Sequence, residues 1–66
     1  MNTAAISLAV LGRPESEAIK IIENAGFRCR IVGRDGQHFF ITQDHRPHDR
    51  INIVITGGVV VEANPG

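Results

Sequence analysis

Apolar and polar positions change rhythm several times along this chain. In Ala5-Ile6-Ser7-Leu8-Ala9-Val10-Leu11, the larger residues Ile6, Leu8 and Val10 alternate with smaller ones. A period of two predicts a short first strand, which Gly12 ends. Ala18, Ile21, Ile22 and Ala25 then recur at i, i+3, i+4 and i+7, one face of a helix over residues 14–25. Pro14 suits the first helical turn, where its missing N–H costs nothing. Glu15 and Glu17 sit near the positive end of the helix dipole. Gly26 falls where a left-handed C-terminal cap is wanted. Phe27, Cys29 and Ile31 alternate with Arg28, Arg30 and Val32, which predicts a second strand with one wet face. Ile51, Ile53 and Ile55 alternate with Asn52, Val54 and Thr56 and predict a third. Gly57-Gly58 reads as a tight hairpin turn. Val59–Glu62 follows as a short last strand, and Ala63–Gly66 as a loose tail.

Residues 34–48 carry no such rhythm. A connection of about 15 residues without structure is uncommon in a compact domain and is usually functional or disordered. A parallel strand pair also needs a crossover of about a dozen residues or more. Both arguments place an exposed loop between parallel strands. The expected fold is therefore α/β in the small α+β sense: one domain over residues 1–66, with one helix packed on a small mixed sheet. The first strand has no obvious partner, so its edge could pair with a second copy to form a homodimer.

Composition narrows the functions. At 66 residues the chain is near the lower limit for a self-sufficient core. Its formal net charge is zero, which argues against nucleic acid as a partner. Arg28, Arg30 and Arg34 carry no aromatic neighbour on their face and read as a solvated sheet surface. Cys29 is the only cysteine, so no internal disulfide forms, and its place beside Phe27 and Ile31 suits an inert packed thiol. The apolar run Ala4–Leu11 is too short to span a membrane. No Lys or Arg precedes it, so it makes a poor signal peptide. The expectation is a cytoplasmic protein as given, or a secreted one if a signal is missing. Ser7 and Ser16 have no base nearby in sequence, and so short a chain encloses little space, which speaks against an enzyme. His38, His45 and His48 could supply half a metal site, but no paired motif completes one. No metal and no cofactor are expected.

The loop itself offers complementary groups. Thr42 and Asp44 place acceptors on either side of Gln43. Arg46 and Arg50 place donor forks just beyond. If the arginines brace Thr42 and Asp44, Gln43 and the bond after it are held for another protein at little ordering cost. The bland alternative is an ordinary loop with incidental surface ion pairs, worth ~0–1 kcal/mol each.

Several short stretches now line up with a known family. Leu11-Gly12-Arg13-Pro14-Glu15-Ser16-Glu17-Ala18 resembles the Val-Gly-x-x-x-x-x-Ala start of the helix in the potato inhibitor I family of serine protease inhibitors. Thr42-Gln43-Asp44-His45-Arg46 resembles its Thr-x-Glu/Asp-Tyr-Arg reactive loop. Asp49-Arg50-Ile51-Asn52-Ile53 resembles Asp-Arg-Val/Leu-x-Val/Leu, closest to the microbial members that inhibit subtilisin- or elastase-like enzymes. The terminal Gly66 also fits, and the likeness spans about residues 8–66.

The resemblance implies a loop that binds a protease like a substrate and is cleaved very slowly. The reactive bond would be Gln43–Asp44. Phe40, Ile41, Thr42, His45 and Arg46 would complete the contact. Loop support would come from Arg46, Arg50, Asn52 and Gly66. There are departures. His45 replaces the usual Tyr, Asn52 stands where plant members often place a second supporting arginine, and Pro47-His48 lengthens the segment by one residue. Gln43 is neither large and apolar nor basic, so trypsin and chymotrypsin should be poor targets and a subtilisin-like protease a better one. The alternatives are a non-inhibitory interaction module on the same fold, oligomeric if the first strand pairs, and a small metal-binding protein using the loop histidines.

Overall fold

The computed structural model describes residues 2–42 and 44–66. Among these, two helices, α1 (Thr3–Val10) and α2 (Glu15–Asn24), precede four strands, β1 (Arg28–Arg34), β2 (Gln37–His38), β3 (Arg50–Thr56) and β4 (Val59–Pro65). The sheet order is β2-β1-β3-β4. β1 and β3 run parallel, and the other neighbours are antiparallel. The mixed sheet with a long connection between its parallel strands is the expected architecture.

The first apolar block departs from expectation: it is a helix. Its buried residues are Thr3, Ile6, Ser7 and Val10, at i, i+3, i+4 and i+7. Alternation of Ile6, Leu8 and Val10 concealed this face because two of its members are polar. Those two are satisfied locally. Ser7 Oγ donates to the Thr3 carbonyl at 2.7 Å, and Thr3 Oγ1 donates to the Pro47 carbonyl at 2.5 Å. The Asn2 side chain accepts from Ala5 N at 2.9 Å and caps the helix. With α1 helical, the edge pairing imagined for a first strand has no strand to use. The exposed side of β4 is itself partly covered. Gly12 N donates to Val60 O and Val60 N to Arg13 O, each at 2.9 Å.

The second helix follows the sequence closely. Ala18 and Ile22 are fully buried, and Gly26 at φ +86° closes the helix. Gly26 N donates to Glu23 O and Phe27 N to Ile22 O, the paired bonds of a Schellman cap. The core joins Ile6 and Val10 of α1, Ala18 and Ile22 of α2, Ile51, Ile53 and Ile55 of β3, and Val60 of β4. β3 thus points three isoleucines at the helices and turns Arg50, Asn52 and Val54 to the opposite face.

Two tight turns close the end of the sheet remote from Arg50. Asp35-Gly36, both at positive φ, joins β1 to β2, and Gly57-Gly58 joins β3 to β4. Asp35 Oδ1 accepts from Gly57 N at 2.9 Å and ties the two turns together. The expected loose tail is also corrected. β4 continues to Pro65, because Asn64 and Pro65 extend the pairing with Asn52 and Ile51. Gly66 is buried and its N–H donates to Arg50 O at 2.9 Å. Among the described residues, no helix is long and apolar enough to cross a membrane.

Helix and strand make opposite demands on residues 6 and 8. In α1, Ile6 is 3% exposed and Leu8 is 72% exposed. Ile6→Ala should cost about 2–5 kcal/mol. Leu8→Ala should stay within about 0.5 kcal/mol. Urea unfolding of both variants checks this; equal losses would mean that the two side chains share one buried face.

Candidate functional site

The site is built on the sheet face turned away from the helices. Arg50 opens β3 and is only 8% exposed, although it is charged. Asn52 lies two residues on, on the same face. In the parallel register Arg30 of β1 sits opposite Asn52, and Arg28 opposite Arg50. The connection from β2 to β3 returns over this surface with Thr42 and Asp44.

Arg50 joins three parts of the chain. Its Nη2 donates to the Asp44 carbonyl at 2.7 Å and its Nη1 to Asp44 Oδ2 at 3.2 Å. Nε and Nη2 donate to the Gly66 main-chain oxygen at 3.1 and 2.6 Å. The Arg46 N–H adds a bond to the same Gly66 oxygen at 3.1 Å. Only a planar fork with several fixed donors can serve these acceptors at once; a lysine ammonium lacks that shape.

A second arginine reaches the other side of the loop. Arg30 Nε donates to Asn52 Oδ1 at 2.9 Å, and its Nη1 donates to Thr42 Oγ1 at 3.4 Å. That Nη1 also lies 3.6 Å from Asp44 Oδ1. Thr42 Oγ1 in turn donates to Asp44 Oδ1. The Thr42 hydroxyl, then Arg50, hold the Asp44 carboxyl down to about 2, against an ordinary 3.8.

The sequence-derived site is therefore partly reassigned. Thr42, Asp44, Arg50, Asn52 and Gly66 are brought together on this face. Gln43 lies outside the described residues. Phe40 and Ile41 are exposed on the approach to Thr42, Phe40 completely so. His45 is exposed. Arg46 does not brace Thr42 or Asp44 with its side chain: Nε and Nη2 donate to Asp49 at 3.2 and 3.1 Å, and hold that carboxyl below its usual range. Proximity in sequence favours this three-residue spacing. Arg30, read as part of a solvated face, takes the place that Arg46 was expected to fill. The signal for it was its register opposite Asn52, which needs the parallel pairing to be known.

Other chemistries find little here. Burial, followed by the charges of Glu23 and Glu15, pushes the Cys29 thiol up to about 11, so it carries little thiolate at neutral pH. Among the described residues, no group of three His, Cys, Asp or Glu side chains is placed to hold a metal ion. His45 and His48 flank a shallow open concavity with Arg46, Pro47 and Asp49. Comparison with family models, curated proteins and solved structures finds no match.

The bracing has a defined acid limit. A carboxyl whose folded pKa is depressed stabilises the fold fully above its unfolded pKa, and the gain is lost as pH falls through the folded value. For Asp44 the window runs from about 4 down to about 2. The Asp44 carboxyl-carbon NMR signal should move with a midpoint near 2, a transition that Asp44→Asn should abolish. A midpoint near 4 would mean that the carboxylate is not braced in solution.

Proposed function

We propose that the chain is a serine protease inhibitor of the potato inhibitor I type, which offers its loop to a subtilisin-like protease in a substrate-like manner. One observation carries this reading. Arg50 binds the loop at Asp44 and the body of the fold at Gly66 through a single guanidinium. A group shared in this way resists displacement of either partner.

The consequence for a protease is kinetic. Residues 40–46 would lie along the active-site cleft, with Gln43 in the main specificity pocket and Phe40 and Ile41 against apolar subsites. Thr42 and Asp44 are braced before binding, so less entropy would be lost on association. After attack on the Gln43–Asp44 bond, the braces keep the new ends from separating. Reclosure then competes with release, and the enzyme stays occupied.

Titration of subtilisin, elastase, chymotrypsin and trypsin, with mass spectrometry on each mixture, tests the proposal. Tight inhibition of subtilisin with slow cleavage only at Gln43–Asp44 is expected. Rapid cleavage there, or no binding to any of the four, would overturn it in favour of a non-inhibitory interaction module. Arg50→Ala should retain the fold at a cost of about 1–3 kcal/mol, because the buried Gly66 oxygen loses its charged donor. It should weaken inhibition about tenfold or more and turn the protein into a substrate. Undiminished inhibition by this variant would show that Arg50 is not the brace.

A further inference from the structure

The two limbs of the loop are anchored unequally. On the C-terminal side, Asp44 is held through its carbonyl and its carboxylate by Arg50. Further along, Arg46 N donates to Gly66 O, Arg50 N to Arg46 O, and Thr3 Oγ1 to Pro47 O. On the N-terminal side, Phe39 N donates to Val32 O at 3.0 Å. Between Phe39 and Thr42 no hydrogen bond to the rest of the fold is made among the described residues. The next contact is the Thr42 hydroxyl, which meets Arg30 and Asp44.

Arg30 is suited to hold that limb. Its side chain is 19% exposed, and the Asn52 side-chain oxygen Oδ1 fixes the guanidinium by accepting from Nε at 2.9 Å. Nη1 is then aimed between Thr42 Oγ1 and Asp44 Oδ1. Arg30 belongs to β1 and Arg50 to β3, so each limb is tied to a different strand of the parallel pair.

From this arrangement we infer that Arg30, oriented by Asn52, is the positioning residue for the Thr42 limb, while Arg50 holds the Asp44 limb. The inference rests on the inhibitor reading in one respect, its effect on cleavage. Hydrolysis of Gln43–Asp44 adds water across the amide and leaves a Gln43 carboxylate and an Asp44 ammonium. Resynthesis needs those two groups in contact and expels the water. The Asp44 end stays on Arg50 in either case. Whether the Gln43 end remains in reach depends on Thr42, and through it on Arg30. Loss of Arg30 should therefore leave first binding to a protease largely intact and shift the protein towards consumption.

Two measurements separate this inference from the inhibitor reading. The first needs no protease. Backbone ¹⁵N relaxation of the intact protein should show Thr42 loosened in Arg30→Met, with Asp44 affected less, since Arg50 still holds it, and the core unchanged. Asn52→Ala should reproduce the effect in milder form, and Arg50→Ala should loosen Asp44 instead. Equal order at Thr42 in parent and Arg30→Met would overturn the inference, whatever the protein inhibits. The second measurement follows cleavage by subtilisin. Arg30→Met should be hydrolysed about tenfold faster than the parent, the factor that one charged hydrogen bond is worth. Its initial association rate should change less than twofold. Adding Thr42→Val to Arg30→Met should raise the rate by less than the two single effects combined, since the substitutions share the Arg30–Thr42 contact while Thr42 also donates to Asp44. Where the parent inhibits subtilisin, full additivity of the two substitutions, or unchanged hydrolysis, would also overturn it. If relaxation behaves as expected but subtilisin is not inhibited by the parent, Arg30 still positions the loop and only the inhibitor reading fails.

Discussion

A buried guanidinium needs partners for its donors, and Arg50 finds them in two places that are far apart in the chain. Gly66 and Asp44 meet at this side chain. The energetic weight lies less in the attraction of opposite charges than in the shared geometry. Asp44 is half exposed, so its charge is well screened. The Gly66 oxygen is buried, and without Arg50 the Arg46 N–H alone would serve it in place of two charged donors. The end of β4 and the loop are thus joined through a residue whose backbone already belongs to the central strand.

Gly66 has a second effect on the same surface. A Cβ at this position would overlap Asn52 Nδ2. The Asn52 amide is set by its bond to Arg30, so it has little freedom to retreat. Gly66 therefore borders both arginine clusters: it accepts from Arg50 and leaves room for the residue that orients Arg30. The two clusters differ in their reach to the loop, since Arg50 lies six residues from Asp44 while Arg30 lies 12 from Thr42.

That difference explains which parts were legible from sequence. α2, β1 and β3 carry a clear period because one face of each is uniformly apolar. α1 does not, since Thr3 and Ser7 occupy its inner face and lose their polarity only through hydrogen bonds that the fold creates. The loop residues Thr42, Asp44 and Arg50 were visible as neighbours of complementary chemistry. The same closeness in the chain suggests a brace from Arg46, whose side chain Asp49 satisfies first. Arg30 required the register of two parallel strands, and no local pattern encodes that. Asp35-Gly36 is the exception: an Asp-Gly pair before a short apolar run is a plain hairpin signal, and the β1–β2 turn could have been read from it.

The tie between Asp35 and Gly57 gives the molecule a quiet pole. Both turns there are short, mutually bonded and exposed, and both arginine clusters lie towards the other end of the parallel strands. A dye or a surface tether attached at this pole would leave the loop facing solution with its bracing intact. The fold thereby supplies its own handle for presenting the braced Thr42 and Asp44 on a solid support.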